Sequence, residues 1–438
     1  MSAAHPTLIN KAAAGVPYFT PAHAGPVGAA VDPGNAPTLF KPLVMRGVRL
    51  HNRFAVAPMC QYSADNGHLT DWHFAHLSQY MIRGNALTLV EATSVTPNGR
   101  ITPEDSGLWQ DSQVEPLRRL ATFAHSQGQY LGIQLAHAGR KAGVVAPWVP
   151  KPEGFLSAVA PPENGGWPDN VWAPSAIPYD VKGYAVPKEM TLDDIQTLRQ
   201  AFKDAARRSA EVGIDVIELH AAHGYLLTQF LSPMSNKRTD KYGGSFENRT
   251  RLLFEIIADV REVIPETMPL WVRISATEWM EHTGEPSWTI DDTIALAKLL
   301  PTAGVDLLDV SSGGNNATAK IAMHTYYQID LAGQIRRAIK EAGLNLLIGA
   351  VGMITEAEMA RSIVQEDVNG SGKPAGGSNG TVEVEQESGA KTQADVVLIG
   401  RQLLREPEFP LRVAHKLGVQ VVWPNQYLRS GWPKDHQL

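Results

Sequence analysis

The chain holds one cysteine, Cys60, among 438 residues. A single thiol excludes an internal disulfide framework and any iron–sulfur cluster held by cysteines. No apolar run reaches the roughly 18 residues that a membrane-crossing helix needs. The first residues lack a basic region followed by an apolar core, so no secretory signal is expected, and arginine is too scarce there for a typical transit peptide. Basic residues are not in excess either. The net charge is −6, which argues against nucleic acid or an anionic membrane as a partner. The expectation is a soluble, cytoplasmic protein whose 43% hydrophobic residues suffice for a sizeable core.

What is present is a regular alternation. Eight short apolar runs recur: Phe54-Ala-Val-Ala, Leu87-Thr-Leu-Val, Tyr130-Leu-Gly-Ile, Val216-Ile-Glu-Leu, Leu270-Trp-Val-Arg-Ile, Leu307-Leu-Asp-Val, Leu346-Leu-Ile-Gly and Val396-Val-Leu-Ile. Unbroken runs of this length suit strands buried on both faces, as in a parallel sheet. Helical spacing fills most of the gaps, most clearly over 191–212, where Thr191-Leu-Asp-Asp offers a capping box and Gly213 a stop. Residues 291–300, 328–342 and 356–364 repeat the pattern. Eight strand–helix units favour a single closed (β/α)8 TIM barrel spanning 39–438. Residues 1–38 read as an extended arm and 423–438 as a tail. Two segments interrupt the barrel. Residues 147–178 form a long, Pro-rich loop after the third strand, on the expected active face. Residues 370–392, rich in Gly, Ser and Glu, read as a flexible surface insertion before strand eight.

Polar residues at the strand ends converge. His220-Ala-Ala-His-Gly-Tyr225 closes the fourth strand, and two imidazoles with a phenol could polarise a carbonyl oxygen and donate a proton. A two-histidine metal site is the weaker alternative, because neither Asp nor Glu stands within the motif; no metal is expected. Structural histidines are the third reading. Arg273, inside a buried strand, requires an anion, either a cofactor or a barrel carboxylate such as Glu91. Gln134 offers donor and acceptor to a ring edge or to the core. Gly352 and Gly400-Arg401 end the last two strands, where barrels often bind phosphate. Ala57-Pro-Met-Cys60, followed by Tyr62, closes the first strand.

Together these residues resemble the old yellow enzyme family, and within it the thermophilic-like branch with a cysteine in the first-strand motif. The likeness covers about 39–432 and is most specific in Ala57-Pro-Met-Cys-Gln-Tyr62, in Gln134-Leu-Ala-His-Ala-Gly-Arg-Lys141, in His220-Ala-Ala-His-Gly-Tyr-Leu and over 230–249. The resemblance implies FMN as cofactor and NADPH or NADH as electron donor. It implies that Ala57, Pro58, Met59, Cys60, Ala92, Gln134 and Arg273 meet the isoalloxazine and ribityl chain, and that Gly352, Gly400 and Arg401 grip the phosphate. His220 and His223 match a pair that binds the substrate carbonyl, with Tyr225 as proton donor and Tyr62 as a second substrate-side hydroxyl. Arg429 matches an arginine that reaches a neighbouring subunit's site, which implies a homodimer or homotetramer. The implied reaction is ene reduction of enones, enals and maleimides by NAD(P)H through the flavin.

Overall fold

A computed structural model describes residues 9–365 and 392–432. Strands β1 (Leu43–Met45) and β2 (Val48–Leu50) form an antiparallel hairpin turned at Arg46-Gly47, with Arg46 at φ 48°. Then come β3 (Phe54–Val56), β4 (Leu87–Ser94), β5 (Tyr130–Ala136), a two-residue pair β6 (Trp172–Ala173) and β7 (Lys188–Glu189), β8 (Val216–Ala221), β9 (Leu270–Ser275), β10 (Leu307–Ser311), β11 (Leu347–Val351) and β12 (Val396–Ile399). Strands β3, β4, β5 and β8 to β12 pair in parallel and close, β12 against β3, into a barrel of eight strands.

The helices are α1 (Asp71–Met81), α2 (Val114–Ser126), α3 (Leu192–Glu211), α4 (Leu226–Leu231), α5 (Phe246–Val263), α6 (Ile290–Leu299), α7 (Tyr327–Glu341), α8 (Ala357–Val364), α9 (Arg401–Arg405) and α10 (Phe409–Lys416). Helix α3 begins as its sequence dictates. The Thr191 side chain accepts from the Asp194 N–H at 3.1 Å, and Asp194 accepts from the Thr191 N–H at 2.8 Å. Gly213 follows at φ 90°, a left-handed stop that a glycine adopts without a Cβ clash. Among the described residues no helix is long and apolar enough to cross a membrane.

Strand alternation decides what faces inward. Ile217, Leu219, Val272, Ile274, Leu308 and Val310 join the core shared with the surrounding helices. Val216, Trp271, Leu307, Leu87, Leu89, Val396 and Leu398 instead form a second cluster with Met45, Val48 and Leu50 of the hairpin. The hairpin therefore plugs the N-terminal end of the barrel. Two residues further along the same strands the interior turns polar: Glu218, Arg273, Asp309 and, on β5, Gln134, all buried. Two more residues bring His220, Ser275 and Ser311. The apolar floor and the polar upper layers make the C-terminal mouth the chemically capable end.

The structure adds to the sequence reading in three places. The hairpin was not expected, because three-residue strands carry no readable period. The loop after β5 is built rather than irregular. Its β6 pairs with β7, so the ordered excursion runs on to Glu189, past the expected limit at 178. The last residue of the expected insertion is anchored. Thr392 is buried, and its hydroxyl donates to the Gln365 carbonyl at 2.5 Å. The rest of that segment lies outside the described residues. At the chain's other end, Gly28 and Val31 donate to Val422 and Gln420 at 2.9 Å each, tying the arm to the tail.

Candidate functional site

His220 is the last interior residue of β8, and the chain then turns sharply. His223 takes φ 59° and Gly224 φ 72°. A Cβ on Gly224 would lie 2.2 Å from the Gly314 carbonyl, so only glycine fits this turn against the loop after β10. The turn is pinned by Ser275, whose hydroxyl accepts from the His223 N–H at 2.8 Å and donates to the Gly313 carbonyl at 2.7 Å. The result is a compact trio. The His220 ring centroid lies 5.1 Å from that of His223 and 5.0 Å from that of Tyr225. His223 Nδ1 lies 3.4 Å from His220 Nε2, and its Nε2 lies 2.7 Å from Ser311 Oγ.

Burial, and then neighbouring positive charge, holds both imidazoles well below the ordinary histidine range, so both are neutral. Burial also pushes the Tyr225 phenol up, with Cys60 and Tyr62 adding to it, and the proton stays on. Lys141 closes one side. Its ammonium donates to the His223 carbonyl at 2.9 Å and the Gly314 carbonyl at 3.0 Å, and lies 5.1 Å from the Tyr225 ring. Burial, then Arg140, pulls that ammonium down to about 7.

The end of β3 supplies the facing wall. Tyr62 stands at φ 49° and packs edge-on to Trp148 of the long loop, at 5.6 Å between centroids. Burial, then Asp105 and Glu91, raises the Cys60 thiol well above its usual range, so it is not a thiolate. A bulge in β4 between Val90 and Ala92 sets Ala92 opposite Gln134 on β5. Deeper in the mouth, Gln134 Nε2 donates to Glu218 Oε1 at 2.7 Å, and Arg273 Nε lies 3.1 Å from Asp309 Oδ2. Arg273 thus meets a barrel carboxylate, but it is Asp309 on the neighbouring strand and not Glu91. Glu91 bonds instead to the Gln61 N–H and the Ser106 hydroxyl. At the ends of the adjacent strands β11 and β12 stand Gly352, at φ 118°, and Gly400, which precedes the exposed Arg401. A Cβ on Gly400 would lie 3.5 Å from Met59 Sδ, so the β12 end adjoins the β3 motif.

One expected site residue stands apart. Arg429 is exposed on the turn Asn425–Ser430, whose Tyr427 packs under Arg83 at 5.6 Å. Arg83 lies four residues before the start of β4, so this turn lies near the end of the barrel opposite the mouth. The sequence reading gave no role to Glu218, Asp309, Lys141 or Ser311. Glu218 and Asp309 carried the signal that found Arg273, a charge inside a buried strand. Ser311 carried none.

The donor set fits a flavin mononucleotide. Arg273 Nε is buried and, although 3.1 Å from Asp309 Oδ2, makes no hydrogen bond among the described residues, and it stands beside an amide able to pair with a polar ring edge. The glycine-bearing ends of β11 and β12 suit close backbone approach to a phosphate. No three His, Cys, Asp or Glu side chains gather as metal ligands among the described residues.

Comparison with known proteins agrees with this chemistry. The family model described as NADH:flavin oxidoreductase / NADH oxidase matches residues 38–370. An NADH:flavin oxidoreductase of Gibberella zeae is 46% identical over 431 residues, covering 97% of this chain and 96% of that protein. The NADPH dehydrogenase of Geobacillus thermodenitrificans is 41% identical over 396 residues, covering 90% and 98%. Among solved structures, morphinone reductase superposes with a TM-score of 0.63 at 23% identity, over 89% of this chain and 92% of its own. An old yellow enzyme homologue from Zymomonas mobilis gives 0.62 at 23%, over 92% and 100%. At that identity the structures attest the fold alone.

Proposed function

The chain belongs to the NADH:flavin oxidoreductase / NADH oxidase family, that of the old yellow enzymes, and from that premise we propose that it is an ene reductase acting on enones, enals and maleimides. It is an oxidoreductase with FMN as cofactor and NADPH or NADH as donor. When bound, FMN supplies the store for two electrons that passes hydride from the nicotinamide to the acceptor. Gln134 and Arg273 would meet its pyrimidine edge, with the guanidinium offsetting the negative charge that reduction places there. Ala57 to Cys60 and Ala92 would line its ring and ribityl chain. Gly352, Gly400 and Arg401 would hold its phosphate.

The observation that carries the reading is the neutral trio at the mouth. His220 and His223, 5.1 Å apart and both uncharged, can donate to one carbonyl oxygen without placing a fixed cation beside it. Negative charge grows on that oxygen as hydride arrives at Cβ, so two aimed donors favour the transition state over the ground state. Tyr225, 5.0 Å from His220 and fully protonated, supplies the proton to Cα. Tyr62 adds a hydroxyl on the opposite side. Arg429 lies far from its own chain's mouth, and it would serve a neighbouring copy's site in a dimer or tetramer.

Tyr225→Phe keeps the ring and removes only the acid. Stopped-flow kinetics should show flavin reduction by NAD(P)H near the parent rate. Oxidation by a weakly activated enone should slow by roughly 10²–10⁴-fold, the usual scale of general-acid loss. Equal slowing of both half-reactions would make Tyr225 structural. An unaffected enone step would move the acid elsewhere, with Tyr62 next in line.

A further inference from the structure

Two carboxylic side chains lie in the polar layer of the barrel, and the catalytic reading uses neither. Glu218 on β8 and Asp309 on β10 are both 0% exposed, with Arg273 on β9 between them. Arg273 Nε lies 3.1 Å from Asp309 Oδ2. Glu218 Oε1 accepts from Gln134, but no donor among the described residues reaches Glu218 Oε2 or either Asp309 oxygen as a hydrogen bond. Three carboxyl oxygens are thus buried without a donor. The groups that face the pair supply one full charge, the Arg273 guanidinium. From β5 comes only the neutral amide of Gln134, and the next interior residue of β8 is the uncharged His220. Below lies the apolar floor of Val216, Trp271 and Leu307. One guanidinium against two sealed carboxylates would leave a net negative charge in low dielectric, which protonation of one acid removes.

We propose that Glu218 and Asp309 hold one proton between them, so that the layer beneath the flavin's pyrimidine edge carries no net charge. Burial raises both Glu218 and Asp309 above the ordinary carboxylate range, against the pull of Arg273, and at Glu218 the neighbouring Asp309 adds to the rise. Arg273 pairs with the shared anion, and its charge is balanced once rather than twice. Were both acids ionised, the layer would repel the charge that reduction adds to the ring. Glu218 and Asp309 are thus positioning residues that act through Arg273 and Gln134. The effect on the cofactor rests on the placement of Gln134 and Arg273 given above; the shared proton does not.

Two measurements separate the pair from its consequence. Infrared spectra of the FMN-loaded protein at pH 7 should show a buried carboxylic-acid C=O band that shifts on 13C-glutamate labelling. The band should vanish in both Glu218→Gln and Asp309→Asn, because removing either partner leaves one carboxylate facing Arg273. A band that survives Asp309→Asn, or one that no variant of the pair removes, overturns the sharing. Should the variants not fold, absence of any glutamate-labelled acid band in the parent overturns it equally. For the consequence, FMN affinity of the parent should fall by roughly three-fold or more between pH 7 and 9 as the pair loses its proton. Glu218→Gln, which copies the protonated acid, should abolish that fall. Equal pH dependence in parent and variant would detach the pair from the cofactor even if the infrared band obeys.

Discussion

At His223 a neighbour's hydroxyl decides which nitrogen carries the hydrogen. His220 Nδ1 accepts from the Ala222 N–H at 3.4 Å, which leaves hydrogen on Nε2, aimed at the shared space between the two rings. His223 can donate into that space from Nδ1 only if its Nε2 accepts, and the group at 2.7 Å is Ser311 Oγ, whose one hydrogen can go to His223 at that distance or to Gln328 Oε1 at 3.2 Å. Ser311→Ala should therefore weaken binding of phenols, which report on the two donors, by about 0.5–1.5 kcal/mol, the worth of one neutral hydrogen bond. Ser311→Thr should restore it. Unchanged affinity in the alanine variant, read by titrating the flavin absorbance, would remove Ser311 from the mechanism. His220, His223 and Tyr225 are legible in the sequence through their spacing, but Ser311 is not. A serine at a strand end says nothing until the strand next door is known. Glu218 and Asp309 were within reach, by the same reasoning that singled out Arg273. Tyr62 and His223 share a second property that only coordinates reveal. Both are non-glycine residues in the left-handed region, a conformation costing roughly 1–2 kcal/mol and kept where the surroundings enforce it.

Among elements, the barrel strands were legible because burial on both faces leaves an unbroken apolar run. All eight residues of β4 are buried, and so are all six of β8 and of β9. The hairpin β1–β2 and the pair β6–β7 escaped because two or three residues cannot display alternation. The long loop was recognised by its length and tryptophans, but its anchoring was not. The Trp167 indole donates to the Asn98 carbonyl at 3.0 Å, and Arg100 sits 4.6 Å over the same ring. Trp172 stacks on His137 at 5.9 Å. The insertion between α8 and β12 allows the opposite prediction. Its Gly-, Ser- and Glu-rich sequence offers little apolar surface, and Thr392 is bonded directly to Gln365. Replacing residues 367–391 with a short Gly-Ser linker should leave FMN content and melting temperature near those of the parent, since shortening a closed loop changes its entropy only logarithmically. A large drop in melting temperature would make the segment structural.

Over the whole molecule, buried titratable groups of opposite sign shape the response to pH. Burial, then Glu91, pushes Asp105 up to about 7, although the Ile101 N–H and the Thr102 hydroxyl bond to it. Its folded pKa is raised, so the stability it contributes is present below the unfolded value near 4 and is lost as pH rises through 7. Burial lowers His51 to about 4, and lowers His220 and His223 as well. Their contribution has the reverse sense, being lost as pH falls below about 6.5, and it is constant above that. Above pH 6.5 the histidine contribution no longer changes, and Lys141, held down to about 7 by burial, adds stability as pH rises, against the acid. The contribution of Asp105 is therefore read as a difference: the melting temperature of the parent minus that of Asp105→Asn should fall between pH 6 and 8. A difference that stays constant across this window would mean that Asp105 is ionised in the folded protein.

The closure of β12 on β3 also bears on how the chain is made. The first barrel strand pairs with the last, and Gly28 and Val31 of the arm bond to residues just upstream of the final turn. At roughly 5–20 residues per second on a ribosome, the free edge of β3 waits tens of seconds for its partner to be synthesised. Until then an apolar strand edge faces solvent while most of the barrel already exists. Folding is therefore committed only after β12 has been synthesised, and truncations that keep β3 to β11 but lose β12 should be captured by chaperones or aggregate rather than accumulate as partial barrels.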